Sequence, residues 1–104
     1  ATHDSQPSPF GFLISLKENS SFTRLEITQY LEDHKIGTRL LFGGNITRQP
    51  AYLDVDFRIH GQLTNSDFVM NNTFWIGVYP KIDEDTINYV GNVIEQFFKE
   101  RSLL

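Results

Sequence analysis

The 104-residue sequence contains no cysteine. That absence excludes disulfide staples, zinc–thiolate centres, iron–sulfur ligation and a thiol nucleophile within these residues. Basic residues are few: nine Lys and Arg against thirteen Asp and Glu, for a net charge of −4. Nucleic-acid binding rests on clustered cations, so no nucleic-acid partner is expected. No apolar run approaches the ~20 residues that cross a bilayer, and no membrane role is expected. The first nine residues, Ala1 to Pro9, carry two prolines and small polar side chains, with neither a charged n-region nor an apolar h-region. They read as a linker or a cut edge rather than a secretory signal, and a cytoplasmic location is expected.

Aromatic residues, by contrast, are plentiful, with nine Phe, four Tyr and one Trp in a chain that is 39% hydrophobic. This supports one aromatic-rich core and one domain, residues 10–104. Residues 10–17 form an apolar run read as a strand. Thr23 and Glu26 then make a T-x-x-E capping box, with Phe22 and Ile27 placed as a hydrophobic staple. Ile27, Tyr30, Leu31 and His34 share one helical face, Lys35 complements the C-terminal dipole, and Gly37 suits a left-handed exit. Further strands are read at 38–42, 57–60 and 74–79, with a short helix between the last two capped by Thr64 or Asn65. Asp83 caps a final helix whose apolar face is Ile87, Val90, Ile94, Phe97 and Phe98. The order implies a small α/β (α+β) domain, a short sheet of three or four strands with helices on one face. Leu31, Leu41, Phe74, Trp75, Ile94 and Phe97 are its expected buried residues, with Trp75 facing the helices.

Little of the sequence carries recognisable chemistry. His3, His34 and His60 lack metal-ligand spacing, and His34 reads as structural near a helix end. Asp54 and Asp56 form a D-x-D without a neighbouring Rossmann pattern and read as a solvated loop. Asn19-Ser20-Ser21, Asn45-Ile46-Thr47 and Asn71-Asn72-Thr73 match the N-glycosylation tripeptide, and read as chance matches in a chain without disulfides. The long stretch 43–52 is the remaining candidate. Gly43 and Gly44 permit close backbone approach, Asn45 and Thr47 offer neutral hydrogen-bonding groups, and Arg48 offers five donors suited to a phosphate. The same residues also suit a solvated surface loop expected to be exposed, and chemistry alone leaves both readings open.

The text of this stretch is distinctive. Ile36 to Tyr52 (IGTRLLFGGNITRQPAY), Leu63 to Asp67 (LTNSD) and Met70 to Pro80 (MNNTFWIGVYP) closely resemble three blocks of the CDP-4-keto-6-deoxyglucose 3-dehydratases. That branch belongs to the DegT/DnrJ/EryC1/StrS sugar-aminotransferase family of lipopolysaccharide biosynthesis proteins, and the likeness spans roughly residues 10–100. His60 and Lys81-Ile82-Asp83 depart from its pattern.

The resemblance implies the C-terminal small domain of a fold-type I aminotransferase architecture. Such enzymes are homodimers that use pyridoxamine 5′-phosphate, with a histidine in place of the Schiff-base lysine. Their [2Fe-2S] cluster takes electrons from a separate NADH-dependent iron–sulfur flavin reductase. The histidine, the carboxylate facing the pyridine nitrogen and the cluster cysteines lie N-terminal to the blocks matched here. The chain is thus expected to be one domain of a larger enzyme, inactive alone and without cofactor, docking on a large N-terminal domain. Gly43, Gly44, Asn45, Thr47 and Arg48 become the expected substrate-binding set. Two alternatives remain: a dimer-supporting domain that touches no substrate, and the same domain of a sugar-nucleotide aminotransferase.

Overall fold

A computed structural model describes residues 2–103, so Ala1 of the expected linker and Leu104 lie outside the described residues. Three strands, β1 (Gly11–Ser15), β2 (Thr38–Leu40) and β3 (Thr73–Gly77), form an antiparallel sheet in the order β1-β3-β2. The helices are α1 (Arg24–Asp33), α2 (Thr64–Asn72) and α3 (Glu84–Glu100). Helix α1 begins at the expected capping box: Glu26 N–H donates to Thr23 Oγ1 at 3.2 Å, and Thr23 N–H donates to Glu26 Oε2 at 2.7 Å. Asp83 caps α3 by accepting the Thr86 N–H at 2.8 Å. Both caps satisfy donors that the first helical turn leaves unpaired.

Helices α1 and α3 cover one face of the sheet. Phe74 and Phe97 meet there with Leu16, Ile27, Leu31, Ile36 and Val93 in a single buried core. Phe22, half-buried, packs edge-on against Phe97 and Phe98, which fixes the entry into α1. The Arg101 guanidinium closes the far end by lying 3.8 Å from the Phe97 ring centroid.

Several expectations change here. Phe74 is fully buried, whereas its neighbour Trp75 is half-buried on the opposite face. Successive strand side chains alternate, so both cannot face the helices. On its own face Trp75 meets Phe10 edge-on at 4.9 Å, and its indole N–H donates to the Leu40 carbonyl at 3.1 Å. The indole also lies over Gly11, where a Cβ would come within 2.9 Å of its Cδ2. Leu41 and Ile94 are half-buried, at the end of β2 and at the margin of the α3 stripe. Ile87 is exposed, lining a groove between α3 and the sheet, while Val93, absent from the expected apolar face, is buried.

Residues 57–60 form no strand among the described residues. All four are exposed, and a strand persists only where a sheet edge pairs it. The left-handed exit from α1 falls on Lys35 (φ 64°) rather than Gly37. The N-cap of α2 is Leu63, itself at φ 53° and without a side-chain cap, so Thr64 and Asn65 lie inside the helix. What fixes this helix instead is Arg24, whose Nη1 donates to the carbonyls of Met70 and Thr73. No described helix is long and apolar enough to cross a membrane.

Candidate functional site

The loop after β2 is built around Asn45. Leaving Leu40, the chain turns through Phe42 (φ 49°) and Gly44 (φ 63°) into two single-turn 3-10 helices, Ile46–Arg48 and Pro50–Tyr52. Asn45 caps the first: its Oδ1 accepts from the Thr47 N–H at 3.1 Å and the Thr47 hydroxyl at 2.7 Å. Its Nδ2 donates to Asp67 Oδ1 at 2.7 Å, across to α2. Gln49 Nε2 donates to the Gly43 carbonyl at 2.6 Å and closes the turn. Asn45 is only 3% exposed, so the loop is not exposed throughout. A buried amide needs its partners, and this one has them. The same burial leaves no room for a glycan at the Asn45 tripeptide.

Arg48 is placed differently. Its Nε donates to Asp67 Oδ1 at 3.2 Å and its Nη2 to Asp67 Oδ2 at 3.0 Å, a two-point grip along one edge of the guanidinium. Among the described residues the Nη1 group has no hydrogen-bond partner, and the side chain is 60% exposed. Asp67, with a side chain 26% exposed, therefore accepts three hydrogen bonds from the loop. These hold its carboxyl below the ordinary carboxylate range, Arg48 contributing more than Asn45. Asp67 in turn pushes the guanidinium pKa upward. The grouping combines a rigid base, a fixed carboxylate and a cation with an outward edge. It can hold an anion; among its members only the carboxylate is a base, and that is already bonded.

The five residues expected as a set thus divide. Gly43, Gly44, Asn45 and Thr47 shape the loop, and Arg48 alone presents unused donors outward. Asp67 was missing from the expected set. The signal available was the LTNSD block, whose acidic residue lies in the first turn of a helix, with nothing in the sequence to say which loop it would meet. Asp54 and Asp56 are exposed, and among the described residues no three His, Cys, Asp or Glu side chains gather as a metal site. His34 stacks on Tyr30 at 4.3 Å, as a structural residue does. A groove of about 610 Å³ opens between the sheet and α3, lined by Phe12, Ile76, Tyr79, Ile87 and Val90 among others. It shares no residue with the loop.

Residues 1–95 match the model of the DegT/DnrJ/EryC1/StrS aminotransferase family. The chain belongs to that family. Its relatives include the lipopolysaccharide biosynthesis protein RfbH of Salmonella typhimurium, 51% identical over 98 residues, or 94% of this chain and 22% of that protein. The dTDP-4-dehydro-2,6-dideoxy-D-glucose 3-dehydratase of Saccharopolyspora spinosa is 51% identical over 102 residues, 98% of this chain and 22% of the relative. The chain therefore spans about a fifth of the length of these family members. Among solved structures, a ColD variant superposes with a TM-score of 0.70 at 24% identity, over 81% of this chain and 22% of that one. A GDP-4-keto-6-deoxymannose-3-dehydratase with a trapped PLP-glutamate geminal diamine gives 0.67 at 26%, with the same coverage. The small α+β fold is thus that of one segment of aminotransferase-fold dehydratases.

Proposed function

We propose that this chain is the C-terminal domain of a cytoplasmic sugar-nucleotide 3-dehydratase of deoxysugar and O-antigen lipopolysaccharide synthesis. Its substrate in this reading is CDP-4-keto-6-deoxyglucose, and the loop from Gly43 to Tyr52 faces it. The observation that carries the reading is Arg48, fixed along one edge by Asp67 while its Nη1 edge stays open to solvent. A planar donor pair held in this way suits a diphosphate or a sugar hydroxyl. The names borne by the 51%-identical relatives support the reaction class.

In this reading neither cofactor of that chemistry is held by the loop. A [2Fe-2S] cluster takes cysteine thiolates, and the chain has no cysteine. Pyridoxamine 5′-phosphate wants a carboxylate at its pyridine nitrogen, and the carboxylate beside this loop, Asp67, is already committed to Asn45 and Arg48. Both groups, and the catalytic histidine, belong in this reading to the large N-terminal domain. The homodimer and the NADH-dependent reductase complete the assembly, and no residue of this chain is assigned a chemical step.

The test is turnover of the sugar nucleotide by the full-length dehydratase. Arg48→Ala lowers kcat/KM by about thirtyfold, and Arg48→Lys recovers little, because an ammonium lacks the planar fork. A second reading, a dimer-bracing role, draws on the segment 51–60. Leu53, Val55, Phe57 and Ile59 alternate with polar residues and all stand exposed, an apolar edge left uncovered by the described residues. Normal turnover by Arg48→Ala together with dissociation of the dimer would favour bracing over substrate contact.

A further inference from the structure

We infer that Asp67 is the positioning residue that aims Arg48 at the anionic part of the substrate. The inference rests on the reading that this loop meets the sugar nucleotide. An arginine on a surface loop has four flexible torsions and loses substantial rotamer entropy when a ligand fixes it. Here that entropy is already lost. Asp67 takes the Nε and Nη2 edge of the guanidinium and leaves Nη1 pointing away from α2. The same carboxylate takes Nδ2 of buried Asn45, so backbone and guanidinium are set by one anchor. Gly44 presses on Met70, one helical turn further along α2, and fixes the loop's height on that helix. The anchor is itself held, since the Met70 and Thr73 carbonyls accept from Arg24 of α1. Asp67 is thus the link through which α2 orients the cation of the loop.

The groups bonded to Asp67 are Arg48 and Asn45 from the loop. Its oxygens carry three donors, which leaves it poorly suited to act as a base. The role is orientation, and it separates from catalysis by where the damage falls. Loss of aim weakens the encounter with substrate and leaves the chemical step nearly intact.

Two measurements test this. In the 104-residue chain, the Arg48 Nε–H resonance is read by nitrogen–proton NMR without any substrate. It should be resolved and slow to exchange, and Asp67→Asn should collapse it into the averaged arginine envelope. In the full-length dehydratase, Asp67→Asn should raise KM for the sugar nucleotide about tenfold while kcat changes less than about twofold. Adding Arg48→Ala to Asp67→Asn should then cost much less than Arg48→Ala costs alone, since the cation has already lost its aim. Should Asp67→Asn melt the loop, Asp67→Glu keeps the charge at a different reach and is read by the same signal and the same KM. An Arg48 resonance already averaged in the wild type overturns the inference without touching the substrate reading. So does an Arg48→Ala defect in KM that Asp67→Asn fails to share. A normal kcat/KM in Arg48→Ala overturns both, and the ordered pair is then a structural clamp.

Discussion

Gly44 packs so closely on Met70 that a Cβ at position 44 would stand 2.8 Å from the Met70 Cα, with the Met70 side chain nearer still. Gly44 also sits at φ 63°, where any other residue is strained. The loop and α2 are therefore seated on each other through a position that admits no side chain. Gly44→Ala should destabilise the chain by about 2–3 kcal/mol, from combined backbone strain and overpacking. Thermal melting decides it, and a midpoint unchanged from wild type would show that the loop stands clear of the helix.

Asn45→Ala removes an amide that serves as cap and as tie. The Thr47 N–H loses its acceptor and Asp67 loses its nearest donor. Because the site is buried, the expected loss is about 1–3 kcal/mol, the usual cost of unsatisfied buried polar groups. Urea unfolding of the variant measures it. An unaltered midpoint would mean that water enters the loop freely.

Acid should weaken the fold through its bonded carboxylates. Asp83 is held below its ordinary value mainly by the Thr86 hydroxyl and then by the Thr86 N–H. Glu26 is lowered by the Thr23 backbone and hydroxyl, and Glu32 likewise by Thr38. A carboxyl whose folded pKa is depressed contributes its stability above the unfolded value near 4 and loses it as pH falls through the folded one. Stability should accordingly be flat above about pH 5 and decline below about pH 4. Asp83→Asn keeps a competent N-cap but cannot titrate, so its melting temperature should fall less on acidification. Melting curves between neutral and acid pH check this, and parallel profiles for the two chains would refute it.

Much of this was legible where the signal is local. The capping box at Thr23 and Glu26, the Asp83 cap and β3 each depend on residues within a few positions of one another. The side of the sheet was not legible, because Phe74 and Trp75 are equally apolar and only packing decides which faces α1 and α3. Leu63 and Lys35 take left-handed conformations that glycine would have advertised. Residues 57–60 carry strand-like alternation, yet pairing is a property of the whole sheet. The loop was found by its text, but its anchor lies 22 residues away in sequence. No periodicity links Asn45 to Asp67; the distance is closed by folding alone.

The central place of β3 in the sheet governs how the chain comes off the ribosome. β1 and β2 do not pair with each other, and each is hydrogen-bonded only to β3. Ser15 must therefore wait for Thr73, and Gly11 for Gly77, before any ladder can close. At about 5–20 residues per second, β1 is outside the tunnel for several seconds with its backbone unpaired. During that interval Phe12, Leu13 and Ile14 are an open strand that chaperones or neighbouring nascent chains can meet. Translation halted before Thr73 would leave α1 capped but with no sheet to pack on.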